Sequence, residues 1–380
     1  MKKTLLGTTA LVSAGLAAGP AMAADPLAVT VGGYVVTGFY VIGSDDFTAG
    51  GVNYEPDDTK VALIARNIDI IAEGTLDNGL TGGLVTKLML GDDEGNNAEA
   101  DDATFQEIFG YLEGGFGRFE IGGTDGAAFK SHYSSPWFVP GNGVDSPNIY
   151  NALAPTAGGG TTSVAARTST YSLMAEDSNK VNYFTPRLAG FQLGLSYAPN
   201  TDYLDPATNG FGIGAEPRGT VDQVFEVALN YAGEFSGIEL GADGFWTTGN
   251  GSSGTDPEEF GGGLNLGAYG FTLGGAYYQS FDIVDQNIPM ADAAFKVFTG
   301  GIAYGTGPWT VGVAYLKGMD LTDGYAVTPK NQMWQFGGGY SLGGGIDIGL
   351  DVQFITTDPG GTITDSYDST SGGLLLAFSF

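Results

Sequence analysis

From residue 28 to the last residue, the chain repeats one unit. An alternating segment ends in a very short glycine-containing turn, and a second alternating segment ends in a longer polar, acidic connection. This pattern describes an array of hairpins with two unlike ends. The short turns are Asp77-Asn78-Gly79, Gly114-Gly115-Phe116-Gly117, Pro186-Arg187-Leu188-Ala189-Gly190, Gly233-Glu234-Phe235-Ser236-Gly237, Gly267-Ala268-Tyr269-Gly270, Gly305-Thr306-Gly307-Pro308 and Gly343-Gly344-Gly345. Glycine permits the positive φ that tight hairpin turns require. Seven turns join seven hairpins, and one strand before the first and one after the last bring the total to sixteen. The long connections fall near residues 44–59, 92–103, 124–177, 200–221, 250–258, 283–293, 320–331 and 358–371. An even strand number with long connections at one end and short ones at the other predicts a closed barrel. Both chain ends then lie on the short-turn side.

The segments alternate with a period of two. Phe191, Leu193, Leu195 and Tyr197 are apolar, and Gln192, Gly194, Ser196 and Ala198 lie between them. Phe225, Val227, Leu229 and Tyr231 alternate with Glu226, Ala228 and Asn230. One apolar and one polar face suit lipid outside and water inside. A soluble β-sandwich or β-helix also alternates. Three features disfavour both: charges in mid-strand on the polar face, unequal connections at the two ends, and aromatics gathered in two groups. Phe116, Phe184, Phe191, Phe235, Tyr269, Phe271, Trp309 and Tyr340 lie near the short turns, and Tyr197, Trp246, Tyr315 and Trp334 nearer the long loops. Two aromatic belts are expected where strands cross two membrane–water interfaces. The final segment presents Leu374, Leu376, Phe378 and Phe380 on one face. Such a strand is an aggregation hazard as a free edge, but in a ring it closes against Val29 to Ser44.

The start of the chain reads as an export leader. Lys2 and Lys3 precede an apolar run from Leu5 to Ala18, and Ala21-Met22-Ala23 is a small-residue cleavage site. We expect a signal peptide over residues 1–23 and a mature barrel over 24–380. No stretch approaches the roughly 20 continuous apolar residues of a membrane-spanning helix. The 65 glycines follow no G-X-Y period and argue against helices. With no cysteine, the chain can form neither a disulfide framework nor a thiolate metal site. The formal charge of −29 disfavours nucleic acid, whose binding rests on Lys and Arg neutralising phosphates.

On these turns and strands the sequence resembles the Gram-negative general porins, in particular the alphaproteobacterial type. Four segments carry the resemblance: Val31-Gly32-Gly33-Tyr34; the run Tyr111-Leu112-Glu113-Gly114-Gly115-Phe116-Gly117-Arg118-Phe119-Glu120-Ile121-Gly122; Asn179-Lys180-Val181-Asn182-Tyr183 followed by Leu188-Ala189-Gly190-Phe191; and the final Phe380. The resemblance implies an all-β fold, a transmembrane sixteen-stranded antiparallel β-barrel with a long third loop folded inward. It also implies a homotrimer in the bacterial outer membrane, among lipid and lipopolysaccharide. The third loop would be residues 124–177, the constriction loop, and the protein a water-filled channel for passive diffusion of small hydrophilic solutes and ions.

Selectivity should then come from inward charges. Lys87 is in phase with Thr81, Gly83 and Val85, Arg118 with Glu120, and Lys180 with Asn182, while Glu226 lies on a polar strand face. Arg66 is similar in position to a wall arginine of general porins, yet its phase conflicts with Asn67 and Asp69 unless a bulge intervenes. A loop acid facing these bases, Asp125 or Asp145, with Lys130 beside it, would set a transverse field, as in the porin family. Few bases among many acids predict mild cation preference. No catalytic set is recognised: His132 is the only histidine and has no G-x-S-x-G, P-loop or H-E-x-x-H motif around it. No cofactor is expected apart from Ca²⁺ in the acidic loops, with Asp92, Asp93 and Glu94 as candidate ligands. Two other readings stay open. One is a substrate-specific channel for sugars or dicarboxylates, suggested by Tyr133, Trp137, Phe138, Tyr150 and Tyr171 in the third loop. The other is an outer-membrane enzyme or adhesin with a plugged barrel.

Overall fold

The computed structural model describes residues 27–90, 103–145, 151–163, 165–201, 221–251, 256–282, 294–322 and 326–380. The expected leader, residues 1–23, and the candidate calcium ligands Asp92, Asp93 and Glu94 lie outside the described residues.

Sixteen antiparallel strands close into one barrel. They are β1 (Ala28–Ser44), β2 (Asp58–Thr75), β3 (Thr81–Leu90), β4 (Ala103–Gly114), β5 (Gly117–Gly123), β6 (Asn179–Phe184), β7 (Phe191–Asn200) and β8 (Val221–Phe235). The ring continues with β9 (Ile238–Gly251), β10 (Glu258–Ala268), β11 (Phe271–Phe281), β12 (Phe295–Thr306), β13 (Trp309–Asp320), β14 (Lys330–Gly343), β15 (Ile346–Asp358) and β16 (Tyr367–Ser379). Each strand pairs with its sequence neighbour, and β16 returns to β1 in the register Tyr34↔Ser379 through Ser44↔Ser369. Gly33 and Phe380 exchange backbone hydrogen bonds of 2.9 and 3.1 Å at the lower end of that seam. All seven expected short turns join consecutive strands. At Ser236-Gly237 and Tyr269-Gly270 both central residues have positive φ (52° and 82°, 53° and 85°), the type I′ geometry that matches strand twist.

The burial pattern is inverted relative to a soluble protein. Leu84, Leu112, Ile121, Leu193, Leu229, Leu264, Val311, Leu350 and Leu374 are exposed on the outside, while Glu120, Asn182, Glu226, Thr247, Gln335, Asp351 and Gln353 are buried inside. Alternation sends every second side chain outward, and only a hydrocarbon surrounding makes an apolar exterior favourable. Closure pairs the backbone around the ring, so no edge faces lipid. Among the described residues, no helix is long and apolar enough to cross a membrane. Phe184, expected in the lower aromatic belt, instead points inward and is buried. It lies against Gly194 on the neighbouring strand.

Candidate functional site

Residues 124–178 join β5 to β6, and their described parts, 124–145, 151–163 and 165–178, run inside the barrel. The segment opens with one helical turn, α1 (Ala127–Lys130), and is seated on the wall strand by strand. Ala127 N–H donates to Ser196 Oγ of β7 at 2.6 Å, and Ala128 N–H to Glu226 of β8 at 2.9 Å. Asn230 of β8 donates to the Ser131 carbonyl at 2.7 Å. On β9, Asp243 accepts from Tyr133 N–H at 2.7 Å and lies 3.1 Å from His132 Nδ1. Thr299 of β12 bonds Ser135 Oγ at 3.1 Å, and Asp351 of β15 accepts from Asn142 at 2.6 Å. Gly141 then lies against Val36 of β1. The return path bonds Asn151 to Ser371 of β16 (3.1 Å), Ala165 to Asn331 of β14 (3.1 Å) and Ser172 to Glu259 of β10.

Close approach is possible because the wall opposite the loop carries glycine. A Cβ at Gly263 would lie 1.7 Å from the Tyr133 carbonyl oxygen, and one at Gly318 1.9 Å from that of Arg167. The inward glycines thus form a track on which loop backbone rests directly against strand backbone.

Where the loop leaves and re-enters the wall, charges concentrate. Lys180 is buried, and its ammonium shares its three N–H donors among four carbonyls, those of Thr124, Ala175, Glu176 and Ser178. These belong to both ends of the loop. Asn182 donates to the Asp125 carbonyl at 2.9 Å and to Glu120 at 3.0 Å. Lys130 reaches Glu120 at 2.5 Å and Thr124 at 2.8 Å. Along the wall formed by β2–β5, Lys87 pairs with Glu107, and Arg118 pairs with Glu120 at 2.8 Å and Glu113 at 3.1 Å while stacking on Tyr111. Tyr111 in turn donates to Glu73. Asp125 and Asp177, at the two loop ends, hold their protons more tightly than ordinary carboxylates. Burial, then the negative neighbours, push Asp125 up to about 7 and Asp177 up to about 8. Acids therefore outnumber bases on this stretch: Asp69, Glu73, Glu107, Glu113, Glu120, Asp125 and Asp177 face Lys87, Arg118, Lys130 and Lys180.

A sequence model of the Gram-negative porin family matches residues 7–360. The chain belongs to that family. As a Gram-negative porin it is an outer-membrane protein that forms a channel for passive diffusion of small solutes. Several solved structures share its fold. The trimer form of OmpT from Vibrio cholerae is 12% identical with a TM-score of 0.60, over 94% of this chain and 100% of that one. The outer-membrane channel DcaP of Acinetobacter baumannii is 13% identical with a TM-score of 0.59, over 94% and 98%. An anion-selective porin from Comamonas acidovorans is 17% identical with a TM-score of 0.56, over 93% and 100%. No curated protein matches the chain in sequence.

The porin places its sequence-derived candidates in three groups. Lys87, Arg118, Glu120, Asp125 and Lys130 come together at the loop junction. Lys180 and Glu226 have the inward phase, but each is spent on holding the third loop: Lys180 as the four-carbonyl knot, Glu226 as acceptor for the first turn of α1. Asp145 does not face the wall bases. It is buried within the loop, accepting from Ser134, from Trp137 Nε1 at 3.3 Å and from Thr170 at 3.4 Å. Arg66 is a further correction. A bulge does occur, since Val36 pairs with Ala65 and Thr37 with Leu63, leaving Ile64 without a partner. The bulge falls before Arg66, so Asn67, Asp69 and Glu73 face inward while Arg66 shares the outer phase of Val35, its partner.

Asp243, Asp351, Glu259 and Arg167 were not singled out from the sequence. Arg167 stacks on Tyr278 at 4.0 Å and lies 3.9 Å from Glu259. For Asp243 and Asp351 the available signal was an acid in mid-strand on the inward phase, which a lipid-facing position would exclude. Of the third-loop aromatics, Trp137 is 47% exposed, Phe138 is buried, and Tyr150 lies outside the described residues.

Proposed function

We propose that this porin is a homotrimeric general diffusion channel with mild cation preference and no enzymatic activity. The observation that carries the selectivity is the excess of acids over bases along β2–β5, where Asp69, Glu73, Glu107, Glu113 and Glu120 face Lys87 and Arg118; Asp125 and Asp177 at the loop ends add to it as they lose their protons. With Lys87, Arg118 and Lys130 each paired to a carboxylate, the remaining field is negative. The anion-selective neighbour shares the fold, and fold does not set the sign of the lumen charge.

The outer surface supports the trimer. Exposed aromatics occur on β1, β4, β5 and β7–β16, whereas β2 and β3 contain no aromatic residue, and β2 directs Arg66 outward in mid-strand. OmpT of Vibrio cholerae has a trimer form. The absence of catalysis is supported by His132: its ring is held between Asp243 and Thr170, both 3.1 Å away, and Thr170 is buried, leaving no approach for a substrate. With one widely exposed aromatic among the described loop residues, a sugar track has little support.

Planar-bilayer recording of the purified protein tests this reading. Ohmic conductance steps in groups of three are expected, with a reversal potential in a KCl gradient of the sign set by potassium. Chloride preference would overturn the selectivity, and single isolated steps the trimer.

A further inference from the structure

The third loop begins and ends against the same point of β4. Glu107 of β4, Asp125 at the start of the loop and Asp177 at its end each bring a carboxylate oxygen to within 4.8 Å of the other two. Glu107 accepts from Thr124 at 2.6 Å and from Lys87. Asp177 is 6% exposed, and its Oδ1 is buried with no hydrogen-bond partner. A buried carboxylate oxygen left without a donor loses its hydration and gains nothing in return. Clustering alone would not identify a ligand. A member of the cluster that is itself buried and has an oxygen with no partner does, because it marks a place where a donor or a cation is missing.

We propose that Glu107, Asp125 and Asp177 bind a divalent, oxygen-preferring cation of the calcium type. Three carboxylates from three chain segments suit a hard cation that takes 6–8 oxygens at 2.3–2.6 Å, the balance being water. Nitrogen- and sulfur-preferring metals find no ligand of their kind here, since the chain has no cysteine and its one histidine is held by Asp243. The raised proton affinity of Asp125 and Asp177 agrees with a pair short of positive charge. The cation would staple both ends of the constriction loop to β4, adding to the hold of Lys180 from the β6 side. Extracellular calcium modules work at dissociation constants of about 10⁻⁴–10⁻³ M, a range that fits this three-carboxylate set.

Isothermal titration of CaCl₂ into the detergent-solubilised full chain, beside Asp177→Asn, tests the site. The expected result is one binding event per chain in the native protein that weakens at least about tenfold in the variant, as loss of a carboxylate ligand should. Identical isotherms would overturn the proposal and assign calcium binding to other acidic loops. Crystals of the unaltered protein grown with CaCl₂ give an answer independent of how the variant folds. An anomalous peak among the three carboxylates is expected, and peaks confined to other positions, or none, would refute the site.

Discussion

At the scale of single residues, the lumen is organised by charges that solve a packing problem before they act on any solute. Lys180 is the clearest case. The three N–H donors of its ammonium are shared among four carbonyls at the two ends of the loop. Lys180→Met keeps the volume and removes the donors, which should cost about 3 kcal/mol in the anchoring of the loop ends. The barrel should still assemble. Faster amide exchange over residues 124–130 and increased open-channel current noise are the expected readouts. The sequence made the inward phase of Lys180 legible, because alternation is a local property. It could not reveal the partner carbonyls, since they depend on where a 55-residue excursion returns. The same limit explains Asp145: a loop acid near wall bases in sequence became the centre of its own loop. Arg66 is a different case: an inward Arg66 needed a bulge between it and Asn67, and the bulge that occurs lies earlier, at Ile64, so the alternation already legible from Asn67 and Asp69 sends Arg66 outward.

At the scale of elements, the third loop and the glycines of the wall are one construction. Glycine was legible as a marker of strands and tight turns, and the seven turns were placed correctly on that basis. Its second use, as a seat for loop backbone, was hidden, because a Gly in mid-strand looks the same whether it leaves room or receives a neighbour. Gly263 tests the distinction. With 1.7 Å between its notional Cβ and the Tyr133 carbonyl oxygen, Gly263→Val must push that part of the loop into the lumen. The overpacking should cost about 1–3 kcal/mol while the strand register survives. Single-channel conductance is expected to fall, with heat-resistant migration on gels unchanged. The same substitution at Gly372, whose Cβ would meet nothing within 4 Å, should leave conductance as it is.

At the scale of the whole molecule, an apolar exterior, a charged interior and a ring without edges follow from a period of two continued through sixteen strands. That periodicity, with the unequal connections, made the architecture readable from the sequence; the sign and strength of the lumen field depended on pairings that it did not encode. The field should respond to pH through Asp125 and Asp177. Facing them are Glu107 and Lys87 from the wall, Lys130 from α1, Glu176 from the loop and Lys180 from β6. Both acids are raised above their unfolded values, so they retain protons at neutral pH and lose them as pH climbs through about 7 and 8. Cation preference should therefore be stronger at pH 9 than at pH 6, measured as reversal potential with a chelator present. The stability contribution has the opposite trend. Below the unfolded carboxylate range both states are protonated, and above it the folded state alone keeps its protons until pH 8, so loop anchoring weakens as pH rises.

The loop's contacts at the seam carry a consequence for how the protein is made. Gly141 rests on Val36 of β1, Asn142 bonds Asp351 of β15, and Asn151 bonds Ser371 of β16. One segment from the first half of the chain thus grips the first strand and the last two. Seating the loop and zipping the cylinder shut are therefore a single event: a chain whose middle has not found its place offers its final strand an incomplete partner. The passage through the finished pore is inspected, in effect, at the moment of closure.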